Sequence, residues 1–290
     1  MIKRSFGERC FDAVNCLLMI FIVFIAVYPL WYVLVASFSS GTAVTNGEVI
    51  WWIRDFELGA YSRLFEDLGI WSAYGNTIFY SVVGTVVSII LTSCGAYVLS
   101  KKRLRGRKFF NGFILISMWF SPGTMPTYIG FRNLGLLDTR LGIILCGAVL
   151  TFYVVLMRTY FEAIPDSMEE AAKIDGASDF SIFAHVYMPL STASILTVGL
   201  YYFVGRWNSY FWAMLLLKDA NKIPLQVLLK KLVVEMTANN SELSTIDYTV
   251  TSRETTIFAT IVVSTVPMII IYPFIQKFFV KGVMIGAVKD

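Results

Sequence analysis

Six stretches of this 290-residue chain, 16–38, 76–99, 109–130, 141–157, 191–216 and 257–276, hold a single formal charge between them, Arg206. Every other lysine, arginine, aspartate and glutamate lies in the segments that separate these runs. Helices buried in a soluble protein would not require such segregation. The hydrocarbon core of a bilayer does, because it is about 30 Å thick and is crossed by ~20 predominantly apolar residues of helix. Composition agrees: 57% of residues are apolar or aromatic and 15% are charged, against roughly 25% charged in a soluble domain. The pattern predicts an all-α integral membrane protein with six transmembrane helices in a single domain, 1–290. Lys3, Arg4 and Arg9 precede the first run as in a signal peptide. Its apolar stretch from Cys16 to Val35 is broken only by Pro29 and exceeds the usual 7–15-residue signal core, so it is expected to stay as a helix. Four dispersed cysteines give no disulfide framework. The one histidine, His185, nearly excludes a His-built metal centre, and none is expected.

Orientation follows from basic residues, which concentrate on the cytoplasmic side. With both termini inside, the segments 1–15, 100–108, 158–190 and 277–290 carry 14 basic residues in 71 positions, against 9 in 87 for 39–75, 131–140 and 217–256. Most of the contrast comes from the octet Lys101-Lys102-Arg103-Leu104-Arg105-Gly106-Arg107-Lys108, whose expected job is to set topology rather than to bind nucleic acid. Pro29, Pro122, Gly123, Pro126, Pro267 and Pro273 fall inside predicted spans. Backbone groups freed at such positions need partners within protein or along a wet cavity. A kinked packing helix and a cavity wall both remain open for the third span.

The segment 162–190 is different in kind. It holds Glu162, Asp166, Glu169, Glu170, Asp175 and Asp179 against Lys173 alone, so an anionic inner leaflet would repel it. Asp166, after Pro165, is placed to cap a helix with Glu169 at its third position. Gly176 can end that helix in a left-handed conformation. Ser178 can then cap a second short helix, with Ala177, Phe180, Phe183 and Tyr187 near one face, stopped at Pro189. A DNA-reading helix-turn-helix would be basic. An acidic hairpin with apolar knobs instead suits a basic-rimmed groove on a soluble partner.

Glu170-Ala171-Ala172, three residues, Gly176, nine residues, then Val186-Tyr187-Met188-Pro189 resembles the EAA motif of ABC importer permeases, with Val186 and Met188 standing for the usual Ile and Leu. Tyr28-Pro29-Leu30-Trp31, Gly106 after the basic run, Gly205-Arg206-Trp207-Asn208 and the ending Lys281 to Lys289 extend the likeness to the maltose-type carbohydrate-uptake branch, in particular its LplC-like polysaccharide permeases. The resemblance implies a multi-pass permease of a bacterial cell membrane that imports oligosaccharides by alternating access. It would pair with a second permease, most simply as a heterodimer, and would work with two cytoplasmic ATPases and an extracytoplasmic solute-binding protein. It also implies that the loop 162–190 is the coupling helix between the fourth and fifth spans. Glu169, Glu170, Ala171, Ala172, Asp175, Gly176, Phe180, Phe183 and Pro189 would serve the ATPase contact, with Glu170 paired to a basic group, Gly176 making the turn, and Phe180 and Phe183 filling the cleft. A family ending of the kind beyond Lys281 lies near that interface.

The chain has no phosphate-binding G-x-x-x-x-G-K-[ST] loop, so ATP and magnesium are expected in a partner chain and no cofactor in this one. Arg206 sits mid-span, where a charge costs at least ~3 kcal/mol on insertion scales, and must face protein or water. With Tyr202, Trp207, Asn208 and Tyr210 it forms a polar-aromatic cluster suited either to a sugar path or to anchoring helices. Trp119, Phe120 and Tyr128 beside the third-span break carry the same two readings. A stand-alone secondary transporter would want carboxylates in the spans, and a membrane enzyme would want an acid–base pair; neither is present. An ABC permease for a non-sugar solute is the remaining alternative.

Overall fold

The computed structural model describes residues 6–66, 68–238 and 253–287, with side chains described within 7–8, 10–66, 69–234 and 254–273. Lys3, Arg4, the Arg9 side chain, residues 239–252 and the side chains of the Lys281–Lys289 ending lie outside these residues. Among the described residues the chain is helical, apart from one isolated bridge between Ser39 and Phe56. It divides into two compact units, 1–68 with 231–267, and 69–230 with 268–290.

Three of the predicted spans are continuous helices: α1 (Phe6–Ser37), α2 (Leu68–Ser100) and, at the other end of the chain, Arg253–Ala287. Pro29 lies within the first and Pro267 and Pro273 within the last without ending either. Leucine, isoleucine, valine and phenylalanine from Leu17 to Leu30 of α1 are exposed. That is the surface expected of a helix whose solvent is lipid.

The other three predicted spans are each divided between two helices, as the Pro122, Gly123 and Pro126 breakers of the third suggest and as nothing in the fourth and fifth announces. The third consists of α3 (Arg107–Trp119) and α4 (Thr124–Asn133), separated by Phe120–Gly123. Gly123 adopts φ +81° at the start of α4, and Pro126 falls in its first turn, where a missing N–H costs nothing. The fourth span is α5 (Arg140–Leu145) and α6 (Thr151–Glu162). The acidic segment follows as α7 (Asp166–Ile174) and α8 (Asp179–Ile182), which runs on through a π-turn Phe183–Tyr187 into Met188–Leu190. The fifth span is α9 (Thr192–Trp207) and α10 (Phe211–Leu216).

In the larger unit, α2, α6, α8 and α9 share a core built on Ala96, Tyr97, Val154, Met157, Phe161, Ile182, Val198 and Tyr202. Small residues allow the close approach of α2 and α9, because a Cβ on Gly199 would come within 2.7 Å of the Ile89 side chain. Small residues at crossings are the usual means of bringing membrane helices together. The turn leading into α5 is tighter still. Thr139 caps it by accepting the Gly142 N–H at 3.0 Å, and a Cβ on Gly142 would collide with the Leu136 carbonyl oxygen. Backbone cannot swing aside as a side-chain tip does. Gly142→Ala should therefore destabilise the permease by about 1–3 kcal/mol, read as a lower aggregation temperature in detergent; an unchanged midpoint would refute the turn geometry.

Candidate functional site

The acidic hairpin is built largely as its residues suggest, with one element moved. Gly176 takes φ +80°. Its N–H reaches the Lys173 carbonyl while the Ala177 N–H reaches that of Ala172, at 3.0 and 2.9 Å. These are the paired bonds of a Schellman ending. Ser178 caps α8 by accepting the Ser181 N–H. Asp166, however, is not a cap: α7 starts behind Pro165 with no side-chain capping bond, and the Asp166 carboxylate accepts from Lys102 at 2.8 Å. Nor does Pro189 stop the second helix. The Met188 N–H bonds the Phe183 carbonyl across a π-turn, and the chain bends by 83° only after Leu190.

Glu169 is placed against expectation. It is 5% exposed, on the inner face of α7. Its carboxylate accepts from Lys101 at 2.6 Å, Lys173 at 2.6 Å, Arg103 at 2.9 Å and the Tyr187 hydroxyl at 2.9 Å. Burial alone would raise its pKa, but the bonds from Lys101, Lys173 and Tyr187 outweigh it and hold the carboxyl down at about 2. Burial lowers the Lys101 pKa, opposed by its pairing with Glu169, and the ammonium also lies 3.8 and 4.1 Å from the centres of the Tyr97 and Tyr187 rings. Arg107 bonds Glu162 at 2.5 Å. The basic octet is therefore the hairpin's counter-ion, a role its sequence pattern did not announce. Glu169, saturated from within, leaves the set of side chains that face outward.

Of the expected contact residues, Glu170, Ala171, Asp175, Gly176 and Pro189 are exposed together with Phe180 at 77%, and Ile174 beside them is 87% exposed. Ala172 and Phe183 turn inward onto the core, Phe183 with its ring 5.1 Å from Tyr97. Ile174 was not among the expected contact residues. No local signal marked it, because the outward face of α7 is fixed only by the burial of Glu169.

A second feature is a cavity of about 290 Å³ in the same unit, lined in part by Tyr80, Tyr153, Tyr201, Tyr202, Arg206 and Trp212. Two of the broken spans supply its wall: Cys146, Gly147 and Leu150 from the α5–α6 break, and Ser209 from the α9–α10 break. Non-helical backbone at membrane depth persists where it is buried in protein or lines a cavity. Arg206 and Tyr202 complete these breaks. The guanidinium donates to the carbonyls of Ile144 at 2.9 Å and Ile143 at 3.4 Å, and to Ser88 Oγ at 2.9 Å. It thus meets carbonyls left over at the end of α5. The Tyr202 hydroxyl accepts the Leu150 N–H at 3.0 Å and lies 2.8 Å from Thr92 Oγ1. Beside the cavity, the loop after α10 is held by Asn76 Nδ2, 2.7 Å from the Asn221 carbonyl, and by Asp138, which accepts the N–H groups of Lys218 and Asp219, each at 3.1 Å. Those backbone bonds hold the Asp138 carboxyl below the usual range.

The expected pathway residues are not brought together as one group. Tyr202 and Arg206 line the cavity. Trp207 is 2% exposed and packs near Tyr74 and Phe203, while Asn208 and Tyr210 are exposed elsewhere along the break. Trp119, Phe120 and Tyr128 are not among the cavity's lining residues, and Trp119 is 85% exposed. Tyr153, Tyr201 and Trp212 line it without having been singled out, because helical aromatics in a membrane sequence give no local sign of which face they occupy.

Residues 68–285 match the family model described as binding-protein-dependent transport system inner membrane component. The chain is 38% identical over 283 residues to the polygalacturonan/rhamnogalacturonan transport system permease protein YtcP of Bacillus subtilis, covering 97% of this chain and 99% of that one. Protein LplC of the same organism is 36% identical, with 97% and 95% covered. The arabinooligosaccharides transport system permease protein AraQ of Halalkalibacterium halodurans is 27% identical, with 93% of each covered. Among solved structures, a chain of a bacterial ABC transporter involved in the import of the acidic polysaccharide alginate matches with a TM-score of 0.89 at 43% identity, covering 96% of this chain and 100% of that chain. A chain from bacterial alginate ABC transporter in complex with alginate pentasaccharide-bound periplasmic protein shares the fold, with a TM-score of 0.62 at 15% identity over 92% and 93% of the two chains. These relatives are transport permeases rather than enzymes, and with the family model spanning most of its length the chain belongs to the binding-protein-dependent transport system inner membrane components.

Proposed function

We propose that this chain is one permease of an ABC importer for oligosaccharides or polysaccharide fragments. It acts as a single membrane domain of six spans, three of them broken, with both termini cytoplasmic. In this reading it forms half of the translocation path, pairs with a second and different permease, receives sugar from an extracytoplasmic binding protein, and draws its energy from two cytoplasmic ATPases. The names of the relatives, which refer to polygalacturonan, arabinooligosaccharides and alginate, support a sugar cargo over other small solutes.

The observation that carries the reading is the outward face of the hairpin. Glu170 makes no ion pair among the described residues, and it shares an exposed surface with Ile174 and Phe180. A free carboxylate beside two apolar side chains suits a cleft with a basic rim on the ATPase. The neighbouring Glu169 anchors this face without being part of it. Glu170→Lys reverses one exposed charge and leaves every bond of the anchor in place. Copurification of the ATPase in detergent should fall at least tenfold for this variant. Equal recovery with the native chain would remove Glu170 from the interface, and no ATPase recovered with the well-folded native chain would overturn the coupling role.

A further inference from the structure

Arg206 carries the only formal charge among the six apolar runs, and it brings that charge to the wall of the cavity between the broken spans. Its acceptors are two carbonyl oxygens and a serine hydroxyl, all neutral. Among the described residues, no aspartate or glutamate lines the cavity. Three of the five guanidinium N–H groups are used by these bonds; Nε is buried against α2 without a partner among the described residues, which leaves the second Nη1 N–H for a further acceptor. A cation desolvated without an anion is costly in a membrane interior. An entering carboxylate would relieve that cost, and the planar guanidinium fork is suited to hold it.

The rest of the wall is suited to a ring rather than to a bare anion. Tyr153 and Tyr201 lie nearly parallel, 5.7 Å apart with planes 10° from each other, and Trp212 is a further lining aromatic. Aromatic faces offer apolar contact to the C–H face of a sugar, while tyrosine edges are polar. The volume of about 290 Å³ is at the lower end of small-molecule sites, about 300–1,000 Å³, and suits one sugar unit with the ends of its neighbours rather than a whole chain.

We propose that this cavity is a subsite for a uronate unit of the cargo, with Arg206 receiving the carboxylate and the Tyr153, Tyr201 and Trp212 rings receiving the sugar. The assignment rests on the reading of the chain as an oligosaccharide permease and narrows its cargo to acidic chains. Arg206 then has two successive roles. In the empty cavity it ties α9 to the end of α5, and with cargo present it adds the carboxylate to the same fork.

The test compares trigalacturonate with its fully methyl-esterified form, which has the same rings and linkages without the charge. Binding of each is measured to the assembled importer in detergent, without the delivery protein, so that the delivery protein's own preference does not enter. Native importer should bind the acid at least tenfold more tightly than the ester. Arg206→Gln should erase that preference, and Tyr201→Ala should weaken both sugars together while leaving the acid-to-ester ratio in place. Equal binding of acid and ester to the native importer overturns the proposal, as does a preference that survives Arg206→Gln. Should Arg206→Gln fail to assemble with the ATPase, the native acid-to-ester ratio and the Tyr201→Ala pair decide the matter. Uptake of neutral arabinotriose by the complete importer, with no binding of trigalacturonate, would sink the subsite and leave the oligosaccharide reading intact. Uptake of no oligosaccharide at all, with the complex assembled, would sink both.

Discussion

Replacing Glu169 by alanine is expected to detach the acidic hairpin from the rest of the permease and to reduce uptake by an order of magnitude or more. Three cations, Lys101, Arg103 and Lys173, converge on this one carboxylate, and Tyr187 closes the set. Removing the single anion leaves a partly buried Lys101 ammonium with no acidic partner. Breaking a buried pair from one side costs about 3–5 kcal/mol, enough to release α7 from the segment that follows α2. Glu170→Ala next door removes no internal bond and should leave the hairpin fold unchanged. The measurement is protease sensitivity of residues 162–190 in the assembled importer, beside sugar uptake per ATP hydrolysed. A Glu169→Ala hairpin as resistant as the native one would refute the anchor. The pH dependence carries a definite sign. The Glu169 pKa falls on folding from an ordinary 4.5 to about 2, so its contribution is fully present above about pH 4.5 and is lost as pH falls through that value toward 2. Hairpin protection should therefore be flat from neutrality down to about pH 5 and decline below it. A decline centred near neutrality would point to a different group.

Gly84→Val is expected to be as damaging, although it adds only two methyl groups beyond the Cβ. The Arg206 guanidinium lies flat against the α2 backbone at Gly84, where a Cβ would stand 2.5 Å from Nη1 and 2.7 Å from Nε. One turn further along α2, Ser88 accepts from Nη2. A side chain at 84 evicts the guanidinium, leaves the Ile143 and Ile144 carbonyls without their donor, and strands a charge at membrane depth. The cost is about 3–5 kcal/mol by the same one-sided argument, read as a several-fold loss of monodisperse protein after extraction. Gly199→Ala is the comparison. Its Cβ meets only the tip of Ile89 at 2.7 Å, which can rotate away, so the loss should be small. A Gly84→Val protein as stable as the native chain would show that Arg206 is not held at this position.

Both predictions depend on contacts that are invisible along the chain. Glu169 and Lys101 are 68 residues apart, and Arg206 and Ser88 are 118 apart. The capping pattern at Asp166 suggested a local use for Glu169, while the actual partners arrive from the segment after α2. Gly176 and Ser178 were legible because their bonds close within a few residues and depend on backbone conformation and short polar side chains alone. Gly84 was silent for the opposite reason: a helical glycine reveals nothing about what is packed against it until the neighbouring helix is in place. The breaks at 146–150 and 208–210 were also missed, because no proline marks them and their freed backbone groups are met by Tyr202 and Arg206 from elsewhere.

The sequence by itself determined that the chain is helical and suited to a membrane, because the length and apolarity of a run are local quantities that the thickness of a bilayer converts into spans. It likewise determined the acidic hairpin with its glycine turn, and through the EAA spacing it pointed to the permease family. Tertiary structure alone decided which acid faces inward, which aromatics share the cavity wall with Arg206, and what the basic octet pairs with. Those outcomes depend on where distant helices return in space, and charge pairing and burial respond to that distance rather than to separation along the chain.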